Sequence, residues 1–326
     1  MSIQHITIYG TGLIGSGWAS HFLCRGILDL ILYDLSQDAL DTAKSRIASS
    51  MRFLAEEKVI TPEQAQTLPT RIRYTTDRKA ALAQADLVIE NCPENLELKQ
   101  GVMQDIEADC PTTAIIASST SGISATLIAA HMKHPERMLG AHPYHPVYLL
   151  PLVELVRGEK TQAQTITTLV DFLKSTNKEP VVLKKESPGY IASRLMSVLF
   201  RESSYMITQG ICTMEDVETA FTYGPGMRYG LTGINTTLQL AGGSHGLLGT
   251  LTSGIGSSGG NWLKACANFT QWPDEFIPFW RTCQQQMDNA LAHRDKLHGR
   301  TNEEIELFRD RGLVKLLQHH GKLQLQ

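Results

Sequence analysis

His142 closes a short apolar run, and Glu154, twelve residues on, is the lone carboxylate inside a second run, Leu152-Val-Glu-Leu-Val156. Pro143, Pro146 and Pro151 stiffen the loop between them. Two short strands joined by such a loop can lie side by side, which would bring Glu154 against His142. A carboxylate held against an imidazole fixes its tautomer and stabilises its protonated form. The chemistry this predicts is general-base removal of a proton from an alcohol. By spacing alone, a histidine and an acid on apolar strands could as well be a satisfied core pair. A hydride acceptor elsewhere in the chain would decide between the two.

Ile3 to Tyr9 is a β-branched run that leads into Gly10-Thr-Gly12-Leu13-Ile14-Gly15, and Trp18 to Gly26 follows with helical spacing. Strand, glycine turn and helix are the context that a dinucleotide fingerprint requires. Gly10 permits the tight turn, and Gly12 lets the backbone approach a pyrophosphate. Gly15 lets the helix pack on the strand, with the amides around Leu13 and Ile14 facing the phosphates. The next strand, Asp29 to Tyr33, ends at Asp34, nineteen residues after Gly15. An acid there reaches the adenine ribose hydroxyls and repels a 2′-phosphate, so NAD is expected rather than NADP. Capping of the following helix, which starts near Ser36, is a second and compatible role for Asp34.

These residues need a scaffold, and the pattern supplies one. A long amphipathic helix spans Ser36 to Glu57. Short strands are expected at Ile72 to Tyr74, Asp86 to Glu90, Ala114 to Ala117 and Met138 to Ala141, with helices at Arg78 to Gln84 and Leu96 to Ala108 between them. Alternation of this kind predicts an α/β domain, a Rossmann-type doubly wound, mostly parallel sheet, over residues 1–186. Ligands in such sheets bind at the carboxyl ends of the strands. Three segments end there: Asn91-Cys-Pro-Glu94, Ser118-Ser119-Thr-Ser121, and His142. The hydroxyl cluster serves equally well as a turn or as the cap of a helix starting near Ile123.

Lys184 to Gly189, rich in charge, proline and glycine, interrupts the pattern, and residues 187–326 read as an all-helical C-terminal domain. Helices are expected at 191–207, 214–222, 228–240, 270–293 and 302–320, and Ala241 to Gly260, rich in glycine and serine, as a loop that is a candidate for motion. The apolar 191–207 helix is suited to burial either between subunits or in a domain core. Among the 326 residues the formal charge is −3, which points to neither nucleic acid nor an anionic membrane. No apolar run approaches the roughly 20 residues of a membrane span, and a chain that opens on a strand is not expected to carry a signal peptide. Six scattered cysteines without a CxxC pair suggest reduced thiols in a cytoplasmic protein. No metal site is expected.

Several spaced motifs match a known family. In its glycine fingerprint, Ser121, His142, Glu154 and Pro188-Gly-Tyr190-Ile-Ala-Ser193-Arg-Leu195, the chain resembles the short-chain 3-hydroxyacyl-CoA dehydrogenases. Within that superfamily it is most similar to the L-carnitine 3-dehydrogenases, through His134-Pro-Glu-Arg-Met138, Pro146 to Val156, Gly226-Met-Arg228 and Ala241-Gly-Gly243. The resemblance covers residues 3 to 245 and implies NAD-dependent oxidation of a small 3-hydroxy acid. His142 would be the base, Glu154 its orienting partner, and Ser121 a hydrogen-bond partner of the substrate oxygen. Glu94 and Lys99 match a pair that contacts the cofactor towards its nicotinamide end, with Ser119 beside them. A homodimer built on the helical domain is also implied. Three positions depart from the relatives: Ser193 replaces an asparagine, His145 replaces another, and Ile234-Asn235 replaces a bulky residue and an acid. All three bear on the substrate.

A quaternary ammonium such as that of carnitine is held by aromatic faces. Tyr144, Tyr148, Tyr190, Phe221, Tyr223 and Tyr229 are candidates for that role, with Arg228 for the carboxylate. Three other readings stay open: an acyl-CoA dehydrogenase, a sugar-acid dehydrogenase acting on L-gulonate, and a catalytically idle NAD-binding protein.

Overall fold

A computed structural model describes residues 3–27, 29–252, 254–274 and 276–323. Its strands are β1 (Ile6–Tyr9), β2 (Leu30–Tyr33), β3 (Arg73–Thr75), β4 (Leu87–Glu90), β5 (Ile115–Ser118), β6 (Met138–Pro143), β7 (Leu152–Arg157) and β8 (Glu179–Val182). They form one sheet in the order β3-β2-β1-β4-β5-β6-β7-β8. Every pairing is parallel except β6 with β7. The helices of this part are α1 (Leu13–Cys24), α2 (Gln37–Glu56), α3 (Pro62–Thr67), α4 (Arg78–Leu82), α5 (Leu96–Asp109), α6 (Ala125–Ile128) and α7 (Ala163–Ser175).

Parallel strands covered on both faces must be apolar along their whole length, and β1, β2, β4 and β5 are buried throughout. Alternate residues feed two cores. Ile6, Ile8, Leu30 and Leu32 pack with Trp18 and Phe22 of α1 and with Leu40 and Ile47 of α2. Tyr9, Ile31, Tyr33 and Val88 pack with Val102, Met103 and Ile106 of α5. The strands expected from β1 to β6 match to within three residues, and α3, α7 and β8 lie outside the elements that the sequence predicts. In β8, Glu179-Pro-Val-Val is an exposed edge strand, so it lacks the fully apolar run that marks the others.

The second part is helical: α8 (Ala192–Thr208), α9 (Met214–Tyr223), α10 (Pro225–Thr232), α11 (Ile234–Ala241), α12 (Gly246–Thr252), α13 (Gly254–Ala265), α14 (Phe276–His293) and α15 (Asn302–His319). The loop expected over 241–260 is wrong. Gly242 and Gly249 there serve close packing, whereas Gly243 and Gly246 hold positive φ, 55° and 58°. A Cβ on Gly242 would lie 1.6 Å from the carbonyl oxygen of Gly246, and one on Gly249 would lie 2.6 Å from Cβ of His245. The helix expected over 228–240 is two helices, broken at Gly233, whose φ of 78° ends α10. Core burial of α8 is also not observed. Leu195, Met196, Leu199 and Phe200 are each about half exposed, and only Ser204 and Ile207 of this helix are buried.

Two compact units result, one running to Arg194 and including the chain from Leu313 onward, the other spanning Leu195–Gly312. The expected boundary after residue 186 is a different cut. Val314, Leu317 and Leu323 belong to the sheet's core, Asn177 donates to the Lys322 carbonyl at 2.6 Å, and Lys322 pairs with Glu179. Among the described residues, no helix is long and apolar enough to cross a membrane.

Candidate active site

The turn from β1 into α1 has the geometry of an anion cradle. Gly10 sits at φ 88°, a conformation that side chains disfavour. A Cβ on Gly15 would lie 2.1 Å from the Gly10 carbonyl oxygen, so turn and helix touch. Gly12 is the N-cap of α1, no side chain caps the helix there, and nothing lies within 4 Å of where its Cβ would be. The first turn of α1 carries no acid. Open amides at a helix N-terminus with clear space before them suit a pyrophosphate. Asp34, just past β2, accepts from the amide and hydroxyl of Thr11 at 2.8 Å each and from the Leu35 amide at 2.8 Å. Its carboxylate is therefore fixed beside the turn. Asp34 does not cap the next helix; Ser36 does, accepting from the Ala39 amide at 3.1 Å. Gly15→Ala should force the turn and α1 apart. Overpacking of this kind costs about 1–3 kcal/mol, or roughly 10- to 100-fold in NAD affinity if it falls on the cradle. Titration of intrinsic fluorescence with NAD would measure this, and unchanged affinity would refute the packing argument.

The antiparallel pair β6 and β7 sets His142 directly opposite Glu154. Nδ1 of His142 lies 3.0 Å from Oε2 of Glu154. With Nδ1–H donated to the carboxylate, Nε2 is the nitrogen left to accept a proton. Glu154 is fully buried, and its other oxygen accepts from the amides of Ile191 (2.8 Å) and Ala192 (3.0 Å), where α8 begins. This second role was not foreseen. Its trace in the sequence is Pro188-Gly-Tyr190, where positive φ at Gly189 and Tyr190 turns the chain so that those amides face inward. Ring centroids of Tyr144 and Tyr190 lie 5.1 and 5.6 Å from that of His142. The Tyr144 hydroxyl is 3.1 Å from Oγ of Ser193. Burial raises the Tyr144 phenol above its usual range, so it stays protonated and can donate.

Along the neighbouring strand ends, Glu94 gathers the next segment. Its Oε1 accepts from the Thr120 hydroxyl (2.7 Å), the Ser121 amide (2.9 Å) and the Gly122 amide (3.2 Å). Ser119 donates to Oδ1 of Asn91 at 2.8 Å and accepts from the Trp18 indole at 3.2 Å. Lys99, only 1 % exposed, donates to both oxygens of Glu90 at 2.8 and 3.0 Å and lies 3.6 Å from Glu94. Ser118 (2.5 Å) and the Cys92 amide (2.6 Å) complete the shell of Glu90. Glu90 was missed by the sequence reading, although an acid closing the apolar strand Leu-Val-Ile-Glu was a visible sign. Burial, reinforced by Glu90, pushes the Cys92 thiol up to about 12, so it is inert as a nucleophile.

The structure thus brings His142, Glu154, Tyr144, Tyr190 and Ser193 into one cluster, and Glu94, Ser119 and Ser121 onto the strand-end rim. Tyr190 is 2 % exposed and packs edge-on to the His142 ring. Tyr148 is elsewhere, edge-on to Phe53 of α2 at 6.3 Å. Phe221 and Tyr223 lie on α9, and Arg228 and Tyr229 on α10, all in the helical unit. Among the described residues no group of three or more His, Cys, Asp or Glu side chains could hold a metal ion.

A fingerprint turn open to a dinucleotide and a buried His–Glu pair on the same sheet define an NAD-dependent dehydrogenase acting on a CH–OH group. Comparison with known proteins agrees. Residues 5–187 match the 3-hydroxyacyl-CoA dehydrogenase NAD-binding domain, and residues 189–264 match the C-terminal domain of the same enzymes. An L-carnitine dehydrogenase of Bacillus cereus is 35 % identical over 97 % of this chain and 92 % of its own. A 5-formyl-3-hydroxy-2-methylpyridine 4-carboxylate 5-dehydrogenase of Mesorhizobium japonicum is 35 % identical over 74 % of this chain and 76 % of its own. The crystal structure of a dehydrogenase for that pyridine compound, described as an NAD+-dependent dismutase, superposes with a TM-score of 0.78 at 30 % identity, covering 98 % of both chains. The chain belongs to the 3-hydroxyacyl-CoA dehydrogenase family.

Proposed function

We propose that the protein oxidises the 3-hydroxyl of a small 3-hydroxy acid, with L-carnitine the favoured substrate. The observation that carries this is the His142–Glu154 pair, whose geometry leaves one imidazole nitrogen to take a proton and holds the other. NAD, when bound along the glycine turn, the Asp34 carboxylate and the strand ends, supplies the hydride acceptor. His142 takes the hydroxyl proton at Nε2, and Glu154, buried against Nδ1, favours the imidazolium that results. Ser121, on the loop that Glu94 holds, would position the substrate oxygen, with Ser193 and Tyr144 as a second hydroxyl pair. Tyr144, half-buried beside the base, is the best placed of the aromatic candidates for a trimethylammonium group. Identity to L-carnitine dehydrogenases over nearly the whole chain supports the assignment. The half-exposed apolar residues of α8 support a homodimer through the helical unit, since a face of that kind is seldom left to water.

A second reading has one specific support. The solved pyridine-compound dehydrogenase matches over 98 % of both chains. An aromatic hydroxy or formyl substrate could stack on Tyr144 where an ammonium group would otherwise sit. The test is NADH formation by purified protein with NAD and, separately, L-carnitine, D-carnitine, L-gulonate, a short 3-hydroxyacyl-CoA and 5-formyl-3-hydroxy-2-methylpyridine 4-carboxylate. Activity confined to L-carnitine would establish the first reading. Turnover of another compound alone would keep the proton-transfer machinery and move the substrate, with His145 and Asn235 the first residues to change. Tight NAD binding without turnover of any of them would favour an idle binding protein.

A further inference from the structure

Lys178 is one of the largest fully buried side chains, and among the described residues no carboxylate pairs with it. Its Nζ instead donates to two carbonyl oxygens, of Val147 at 2.5 Å and Leu150 at 2.9 Å, and lies 5.1 Å from the centroid of the Trp18 indole. Both carbonyls belong to the loop that joins β6 to β7, and hence His142 to Glu154. The same loop carries Tyr144. The loop also presses directly on α1: a Cβ on Gly17 would come within 2.9 Å of Cβ of Val147. Trp18, next along α1, donates to Ser119, which donates to Asn91, so the contact continues to the strand-end rim. A buried amine placed between a catalytic loop and the cofactor-side helix, with no acid to neutralise it, is an expensive feature to retain for packing alone.

We propose that Lys178 is a positioning residue, clamping the loop between His142 and Glu154 onto α1, and that lifting of this loop is coupled to uptake of one proton. The coupling follows from burial. Desolvation, with the Arg25 charge second, lowers the Lys178 amine from the ordinary 10.5 to about 7 in the docked state. Once the loop lifts and water reaches the amine, the ordinary value returns. Between those limits the lifted form binds more protons than the docked form. Docking therefore tightens as pH rises above 7, by about tenfold per pH unit, and is least favoured and flat below it.

The other charged groups on the packed elements do not replace this coupling. On α1, burial holds His21 well below the usual imidazole range, so it is neutral, and Arg25, though lowered by burial, remains a cation. On the loop, the titratable groups are the phenols of Tyr144 and Tyr148 and the exposed His145. On α7, Asp171 and Lys174 are exposed; on β7, Glu154 is bonded to His142 and to the α8 amides, and Arg157 is exposed. Glu179, next in the chain, is exposed and paired with Lys322.

The amides of Leu149 and Leu150 report the loop, because both donate to the Pro146 carbonyl within it, at 3.0 and 2.9 Å, and Leu149 is buried, so that lifting exposes this turn to water. Hydrogen exchange of the whole protein, corrected for its intrinsic pH dependence, should show these two amides gaining about tenfold in protection per pH unit between about 7 and 9. Amides of β1 and β2 should not follow, and in Lys178→Met the slope should vanish. The variant's kcat should fall on the order of 10- to 100-fold from misplacement of the base, with NAD affinity kept within about twofold. A flat profile in the unmodified protein, or a slope shared by the sheet amides, would overturn the proposal, as would a slope that survives in the variant. Should Lys178→Met not fold, exchange in the unmodified protein alone decides. The kinetic arm rests on His142 as the base, whereas the exchange arm needs no substrate, so failure of one reading is distinguishable from failure of the other.

Discussion

His142→Gln is expected to lower turnover by about 10²–10⁴ while leaving NAD binding intact. Glutamine is the informative substitution because its amide can still donate towards Oε2 of Glu154, which accepts from Nδ1 of His142 at 3.0 Å. Alanine would leave that oxygen of a fully buried carboxylate without its partner and add a loss of stability to the loss of chemistry. Glutamine cannot take a proton, so the reaction loses its base and little else. The expected result is a fall in kcat/KM carried almost wholly by kcat, with a thermal midpoint near that of the unmodified protein. The fingerprint turn and Asp34, which we propose hold NAD, lie on other strands, so its affinity should not move. Turnover near the original value would remove His142 from the mechanism and return the pair to a plain core contact.

Residue type and local spacing carried most of what was legible in the sequence. The fingerprint turn could be read because glycine is demanded wherever backbone meets backbone, and Gly15 against Gly10 is such a place. The pairing of His142 with Glu154 could be read because strand register across a short loop leaves few alternatives, and the observed register sets them directly opposite. Long-range contacts were not legible. Nothing local to Glu154 announces that its second oxygen receives the amides of Ile191 and Ala192, thirty-seven and thirty-eight residues on. Nor does Lys178, one cation before an exposed edge strand, announce that it reaches back to Val147. Gly242 and Gly249 escape a sequence reading for a related reason: flexibility and close packing call for the same residue, and only the neighbour across the contact tells them apart. Tyr148 was grouped with Tyr144 by proximity in sequence, yet the intervening turn sends its ring to Phe53.

The largest stability effect is expected at Glu90, whose carboxylate no aspect of the chemistry requires to touch substrate. It collects Lys99 on both oxygens, the Ser118 hydroxyl and the Cys92 amide, all within 3.0 Å, in a region that water does not reach. Removing one partner of such a pair leaves the other charge buried, at a cost of about 3–5 kcal/mol. The two partners are not equivalent. Glu90→Ala strands the Lys99 ammonium with the Cys92 carbonyl at 3.0 Å and Glu94 at 3.6 Å, and it also orphans a hydroxyl and an amide. Lys99→Met leaves Glu90 with two donors still in place, so it should cost less. Replacing both, as Glu90→Ala with Lys99→Met, removes the charges together and should cost less than the sum of the single changes, because no uncompensated ion remains. Denaturant midpoints at constant m-value would measure all three. A smaller loss for Glu90→Ala than for Lys99→Met, or strict additivity in the double variant, would show that the network is not the unit described. Because the Asn91–Glu94 segment that Glu90 fixes also holds Thr120, Ser121 and Gly122 through Glu94, the Glu90 variant should weaken NAD binding as well. Stability and cofactor affinity would then fall together at a residue that touches neither reactant.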